Sequence, residues 1–280
     1  MVLSLNKLNE LQQRVLIALP GAALLLGAIY WNAWSYFVVF GVLCFLTQFE
    51  FYKMLSFSGY RPFKTLGLTS GMLLYGFLFL IQLYPELLSW AFLLIVVPMF
   101  AYILQLYKPS RTPFPDVGLT FLGVFYVALP YGLLHVVSFE GDTYFPDRVL
   151  GFMCFLWASD TGAYFSGKQF GRTKLFFRIS PKKTWEGSIG GIGLAVLIGL
   201  GVSFLFDSLS RPVWMGLAAV VAVMGIYGDL VESQLKRSLR IKNSGRSLPG
   251  HGGFMDRFDG LLLAVPGAML FLEFVRRVWG

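Results

Sequence analysis

The sequence predicts an all-α, polytopic integral membrane protein with about nine transmembrane helices. Of the 280 residues, 56% are hydrophobic and only 14% are charged, whereas a soluble domain has about 25% charged residues. The chain therefore has too few charged side chains to cover a globular surface. We interpret its net charge of +8 loop by loop rather than as one field, and we expect no nucleic-acid partner.

The apolar residues form about nine runs, each near the ~20 residues that a helix needs to cross the hydrocarbon core. These spans are expected at 14–31, 33–53, 65–84, 87–107, 117–138, 149–167, 188–206, 212–231 and 258–275. We divide the chain into an N-terminal interfacial segment at 1–13, N-terminal transmembrane helices at 14–140, and a C-terminal transmembrane region at 141–280 that holds the candidate catalytic residues. The sequence contains no convincing internal repeat, so it does not indicate the duplicated architecture of many transporters.

Lysine and arginine are concentrated in the loops that follow the even-numbered spans. Cytoplasmic loops carry an excess of these residues. We therefore expect the even-numbered spans to end in the cytoplasm, with the N-terminus inside and the C-terminus outside. Arg276 and Arg277, near the C-terminus, run against this orientation.

The longest polar stretch of the chain separates the last two spans and holds the first candidate site. Asp229, Ser233 and Lys236 are spaced i, i+4, i+7, which places them within about 60° of one helix face. Asp256 and Asp259, spaced i, i+3, share a face at the start of the last span. If the two helices are neighbours, three carboxylates meet at one membrane boundary and need a counter-charge to remain ionised. Such hard oxygen ligands favour Mg²⁺, so the sequence predicts a metal site.

The same stretch contains basic residues and a glycine-rich turn. In an alternative interpretation, the two aspartates of the last span pair with Arg257 and Arg237 as interfacial anchors. The turn Pro-Gly-His-Gly-Gly at 249–253 would let backbone N–H groups approach an anion closely. His251 would donate to phosphate or carry a proton. The alternatives are an ordinary connection between helices and a structural turn histidine.

A second basic segment lies before the seventh span. Lys182, Lys183 and Thr184 precede a helix start, and the backbone N–H groups of a helix N-terminus favour phosphate. Ser180 is expected to cap this helix, with Pro181 in its first turn. The alternative is a basic cytoplasmic loop without a ligand.

Two acidic residues lie inside predicted spans. Asp160 lies toward the cytoplasmic end of span six, and an ionisable residue within a span is a functional hypothesis by default. Its alternative is an ion pair with Lys168 or Arg172. Glu50, near the inner end of span two, is expected to reach the interface and pair with Lys53.

From Ser233 to Asp259 the chain resembles the phosphatidate cytidylyltransferases, also called CDP-diacylglycerol synthases. The family signature combines Ser-x-apolar-Lys-Arg with a later His-Gly-Gly-apolar-x-Asp-Arg-apolar-Asp. The residues that match it are Ser233, Leu235, Lys236, Arg237, Lys242, Gly245, Leu248, Pro249, His251, Gly252, Gly253, Phe254, Asp256, Arg257, Phe258 and Asp259. Residues 180–187 and the segment around Asp160 also resemble the family, so the resemblance covers about the C-terminal half.

The resemblance implies transfer of CMP from CTP to phosphatidate, which forms CDP-diacylglycerol and pyrophosphate in phospholipid biosynthesis. It implies a bacterial-type inner-membrane enzyme whose site faces the cytoplasm, with Mg²⁺ as cofactor, a second cation as an option, and a homodimer as an open question. The implied catalytic residues are Asp229, Ser233, Lys236, Asp256 and Asp259, the three aspartates among them being the metal ligands. The implied substrate- and phosphate-binding residues are Asp160, Lys182, Lys183, Thr184, Arg237, His251, Gly252, Gly253 and Arg257.

One position departs from the family pattern, because Asn243 stands where the family usually has aspartate. Asparagine still forms hydrogen bonds but supplies no negative charge. Two other functions are considered for the chain. A polyprenol or dolichol kinase would move the phosphoryl group of CTP instead of CMP. A transporter of anionic lipids would need polar residues in both halves of the membrane, whereas nearly all the charge of this chain lies at one face.

Overall fold

The structure is a computed structural model that describes residues 10–242, 244–245 and 252–279. Most of these residues are helical. The α-helices are α1 (Glu10–Trp31), α2 (Ala33–Phe57), α3 (Lys64–Leu83), α4 (Leu93–Leu106), α5 (Pro113–Gly123), α6 (Leu129–Ser138), α7 (Pro146–Phe170), α8 (Trp185–Val202), α9 (Arg211–Ser238) and α10 (Met255–Trp279). A π-helical turn joins α5 to α6, and a 3₁₀-helix precedes α4. The predictions for residues 1–9, Asn243 and His251 lie outside the described residues.

Six helices in the described part of the chain are long and apolar enough to cross a membrane. They are Ala33–Phe57, Lys64–Leu83, Pro113–Ser138, Trp185–Val202, Arg211–Ser238 and Met255–Trp279. The prediction of an all-α, multi-pass membrane protein is thereby confirmed, whereas the count of about nine spans is not confirmed.

Helices also lie at the other three predicted spans, but they differ in length or composition. Helix α1 has 22 residues and begins with mostly polar and charged residues up to Arg14. Helix α4 has 14 residues, which at a rise of about 1.5 Å per residue is shorter than the ~30 Å hydrocarbon core. Helix α7 has 25 residues, but Asp160 and Lys168 in its second half shorten its apolar run.

Two small antiparallel hairpins interrupt the helices. The strands are β1 (Phe139–Glu140), paired with β2 (Thr143–Tyr144), and β3 (Lys174–Phe176), paired with β4 (Ser180–Thr184). The second hairpin corrects the predicted helix start. Ser180 and Pro181 lie in β4, and the residue that caps α8 is Thr184, whose hydroxyl accepts a hydrogen bond from the backbone N–H of Gly187 at 3.2 Å.

Helices α7 and α8 pack closely because glycines lie at their contact. A Cβ on Gly187 would meet the backbone oxygen of Ala163, and a Cβ on Gly191 would meet the backbone oxygen of Ser159. Close packing of this kind, through small residues, is common between membrane helices. It holds the β3–β4 hairpin beside the last turns of α7.

One end of the helix bundle gathers the polar connections, and we call it the site end. Here α2, α7 and α9 end, and α3, α8 and α10 begin. The backbone N–H of Arg61 donates to the Asp116 carboxylate at 2.8 Å, and the Ser58 hydroxyl donates to the backbone oxygen of Leu239 at 3.4 Å. The first bond ties the connection after α2 to α5, and the second ties the end of α2 to the segment that follows α9.

The opposite end holds the β1–β2 hairpin and the start of α7. Arg148 forms an ion pair with Glu140, and its hydrogen bond holds the pKa of the Glu140 carboxyl below its ordinary value. Ser208 donates to Asp147, and the Tyr144 hydroxyl donates to the backbone oxygen of Ile29 at 3.0 Å. The two ends of the bundle are thus built from different sets of charges.

Candidate active site

The last turns of α9 lie directly against the start of α10, because both helices have a glycine where they meet. A Cβ on Gly228 would meet the backbone oxygen of Asp259 and the backbone of Gly260. A larger residue at 228 would therefore push the two helices apart. This contact brings Asp229, the next residue of α9, beside Asp259.

Three carboxylates converge at this crossing. Asp229, Glu232 and Asp259 each offer an oxygen that lies within 4.8 Å of the others. Glu232 is 0% exposed, and the two aspartates are half-buried. The Ser233 hydroxyl donates to Asp229 Oδ1 at 3.2 Å, as their shared helix face predicted. Because three negative charges this close require a counter-charge and carboxylate oxygens suit Mg²⁺, the donor set fits a divalent cation.

Lys236 lies next to this carboxylate group. Its ammonium pairs with Glu232 and, at 2.7 Å, with Asp256 Oδ1. Asp256 also accepts hydrogen bonds from the backbone N–H groups of Ser244 at 3.2 Å and Gly253 at 3.0 Å. Asp256 is thus not a member of the three-carboxylate group, although the sequence placed it there. Its contacts orient Lys236 and the loop between α9 and α10.

A second lysine reaches the group from the β3–β4 hairpin. Lys183 Nζ lies 2.5 Å from Asp229 Oδ2 and donates to the backbone oxygen of Ile226 at 3.3 Å. The hairpin is held in place by Glu186, whose carboxylate accepts from the backbone N–H groups of Arg172 and Thr173 at 3.1 and 3.0 Å. The structure therefore brings the second basic segment to the same site as the first polar stretch.

An open pocket of about 370 Å³ extends from Lys183 along α7 and α8. Lys182 and Asp160 line it, and both are exposed. Tyr164 and Lys168 line its side on α7. The pocket thus offers basic side chains between two membrane helices, where a ligand with a polar head and an apolar tail would fit.

The remaining predicted residues lie near the start of α10 or at the end of α9. Gly252 has a φ of +85°, which glycine adopts without strain. Arg257 is exposed in the first turn of α10. Arg237 is exposed at the end of α9. His251 lies outside the described residues.

Glu50 of α2 also belongs to this region. It is 2% exposed, and its carboxylate accepts hydrogen bonds from the backbone N–H of Met255 at 2.8 Å and the Ser244 hydroxyl at 3.2 Å. The expectation that it reaches the interface is wrong, because the loop between α9 and α10 covers it.

Two residues of the region, Glu232 and Glu50, were not among the predicted site residues. Glu232 is three residues after Asp229 and four before Lys236, and this spacing on one helix face was a sufficient signal. Glu50 carried the same signal as Asp160, an ionisable side chain inside a span. Its contact with a loop about 200 residues away in sequence has no local signature.

The sequence of the chain is similar to those of known proteins. The sequence model of the cytidylyltransferase family matches residues 12–275. A phosphatidate cytidylyltransferase of Synechocystis sp. is 31% identical over 93% of this chain and 96% of its own length. Those of Staphylococcus aureus (strain COL) and Staphylococcus epidermidis (strain ATCC 12228) are 38% and 39% identical over 56% of this chain, and the alignment spans 59% of their own length. The chain belongs to the cytidylyltransferase family.

Proposed function

We propose that the chain is a phosphatidate cytidylyltransferase that transfers CMP from CTP to phosphatidate and releases pyrophosphate. The observation that carries the proposal is the group of three carboxylates flanked by Lys183 and Lys236 at one end of the membrane helices. Both substrates are polyanions, and one of them is held in the bilayer. A site with these charges at the bundle end suits both, and the family membership supports the choice of nucleotide.

The chemistry requires positioning and charge neutralisation rather than a protein nucleophile. An oxygen of the phosphatidate phosphate attacks the α-phosphorus of CTP. A new phosphorus–oxygen bond forms, the bond to the bridging oxygen between the α- and β-phosphates breaks, and its electron pair leaves with pyrophosphate. The attacking oxygen is already negatively charged, so no side chain has to create the nucleophile.

Asp229, Glu232 and Asp259 are the residues that would hold Mg²⁺. The bound cation supplies positive charge to the phosphate oxygens of the nucleotide. Glu232 is buried; its Oε2 pairs with Lys236, whereas its Oε1 has no hydrogen-bond partner in the described part of the chain, which leaves that oxygen to a metal ion. The direct metal role predicted for Asp256 and the second cation remain predictions.

Basic residues would bind the phosphates from two sides. Lys236 is fixed between Glu232 and Asp256, so it presents a charge without free rotation. Lys183 and Lys182 come from the hairpin and line the pocket between α7 and α8. We assign this pocket to the phosphatidate headgroup, because its position between membrane helices gives a lipid lateral access.

The proposed site faces the cytoplasm. CTP is a cytoplasmic nucleotide, and the basic hairpin belongs to the loops that the charge rule assigns to that side. The homodimer remains a prediction.

The test uses the purified full-length protein in mixed micelles with phosphatidate, Mg²⁺ and CTP labelled at either the α- or the γ-phosphate. We expect label in the lipid product only from α-labelled CTP, together with release of pyrophosphate. Lipid labelled from the γ-phosphate would identify a lipid kinase instead. Absence of any labelled lipid in micelles, together with movement of phosphatidate between leaflets after reconstitution of the protein into lipid vesicles, would identify a transporter.

A further inference from the structure

The Glu50 carboxylate connects the N-terminal half of the chain to the proposed active site. It projects from α2 and accepts from the backbone N–H of Met255, the first residue of α10, at 2.8 Å. It also accepts from the Ser244 hydroxyl at 3.2 Å, at the other side of the loop. One buried side chain thus fixes both ends of the connection between α9 and α10.

The backbone of this connection is packed around the carboxylate. A Cβ on Gly245 would overlap Glu50 Oε1, and a Cβ on Gly253 would overlap both of its oxygens. An alanine at either position would therefore displace the Glu50 carboxylate, and at 253 it would displace the Ser244 hydroxyl as well. The negative charge also lies at the N-terminus of α10, where the helix dipole stabilises it.

The contacts lead from Glu50 through the loop and Asp256 to Lys236. The backbone N–H groups of Ser244 and Gly253 donate to Asp256, and Asp256 pairs with Lys236. Met255 begins the helix turn that ends at Asp259. A shift of the loop would therefore move Lys236 and one of the three carboxylates together.

We propose that Glu50 is a positioning residue of the transfer reaction, which sets the start of α10 and thereby the geometry of Lys236 and Asp259. This inference rests on the proposed function. Glu50 acts through the loop and not on the substrate. Burial of an ionised side chain in a membrane helix costs free energy. The hydrogen bonds of Glu50 to both sides of the loop offset part of that cost and give the side chain its positioning role.

The first test compares three variants of the full-length protein at a temperature where all remain folded. We expect Glu50→Ala to lower kcat by about 100-fold, because a displacement of about 1 Å can have that effect. Glu50→Gln keeps an acceptor oxygen and is expected to retain more activity than Glu50→Ala. The matched control is Gln48→Ala, since Gln48 is equally buried on α2 but bonds to the backbone oxygen of Gly67 at 2.9 Å. It is expected to lower the unfolding temperature and leave kcat unchanged.

Equal loss of kcat in Glu50→Ala and Gln48→Ala would reduce Glu50 to a structural role and overturn the proposal. A kcat within about twofold of the wild type in Glu50→Ala would overturn it as well, since misplacement of catalytic groups is expected to cost far more.

The second test measures the contact itself. Gly245→Ala is expected to lower kcat strongly in the wild-type background, and to add little when combined with Glu50→Ala, because the close contacts of the added Cβ are with the Glu50 side chain. Hydrogen exchange at the start of α10 should be faster in Glu50→Ala and unchanged in Gln48→Ala. Additive effects of the two substitutions, or unchanged exchange, would contradict the inference. If the wild type transfers no CMP while the exchange still responds to Glu50→Ala, the proposed function fails and the coupling of Glu50 to the loop stands.

Discussion

Glu232 is the residue on which the charge balance of the site depends. Its carboxylate is 0% exposed and lies between Lys236 and the two half-buried aspartates, Asp229 and Asp259. Lys183 and Lys236 bring two positive charges to three negative charges, and Asp256 adds a fourth negative charge beside Lys236. The site thus retains an excess of negative charge that a divalent cation would offset.

Individual site residues differed in how far the sequence could predict them. Asp229 and Asp259 were predicted to meet if their helices were neighbours, and they do. Asp256 was grouped with Asp259 because they are three residues apart, but such residues still differ by about 60° around the helix and about 4.5 Å along it. In the first turn of α10 this difference directs Asp256 toward the loop. The pairing of Lys183 with Asp229 required two segments distant in sequence and had no local pattern.

We predict that Glu232→Gln raises the Mg²⁺ concentration needed for half-maximal activity by at least about 10- to 100-fold, the loss that is typical when a residue supporting a metal ligand is removed. The substitution keeps the size of the side chain and removes its charge. The measurement is CMP transfer as a function of free Mg²⁺. The matched control is Glu273→Gln, because Glu273 is on α10, where it pairs with Arg276 and Arg277 at the opposite end. An unchanged Mg²⁺ dependence in Glu232→Gln would remove this residue from the metal site.

At the scale of elements, hydropathy predicted where the helices lie better than where they end. The eighth span was expected at 212–231, with Ser233 and Lys236 farther along the same helix, and α9 continues to Ser238. Its last turns carry Ser233 and Lys236, which are too polar for a hydropathy criterion yet remain helical because α10 packs beside them. The β3–β4 hairpin escaped prediction for the opposite reason. Its strands are short, and the contacts of Glu186 with Arg172 and Thr173 that hold it come from the helix after it.

We predict that Gly228→Ala lowers kcat by at least about tenfold, because the added Cβ would meet the backbone of Asp259 and Gly260. The two helices would move apart, and the distance between the carboxylates of Asp229 and Asp259 would increase. A displacement of about 1 Å in a catalytic site can lower the rate strongly. The control is Gly193→Ala in α8, where a Cβ meets nothing within 4 Å. Alanine should stabilise that helix by up to about 1 kcal/mol and leave kcat unchanged. Wild-type kcat in Gly228→Ala would show that the close crossing is not required.

At the scale of the whole molecule, the two ends of the helix bundle differ in the arrangement of their charged residues. The site end gathers the carboxylate group, Lys183, Lys236 and the hairpin. The opposite end is held by self-contained pairs, among them Arg148 with Glu140 and Arg277 with Glu273. Composition and the charge rule predicted this asymmetry, because both depend on sums over many residues. Such sums do not determine the number of spans, since α4 has only 14 residues and α7 carries charged side chains within its length.

The orientation of the molecule is tested by cysteine labelling of the full-length protein in a bacterial membrane. Asp142→Cys lies in the β1–β2 turn and Lys174→Cys in the β3–β4 hairpin, and both positions are exposed. They flank α7, whose 25 residues extend about 37 Å, so we expect them on opposite sides of the bilayer. We expect an impermeant maleimide to label position 142 in intact cells, and position 174 only in inverted vesicles. The reverse labelling pattern would place the proposed site on the outer side of the membrane. CTP is in the cytoplasm, so that result would contradict the assignment of CTP as the substrate.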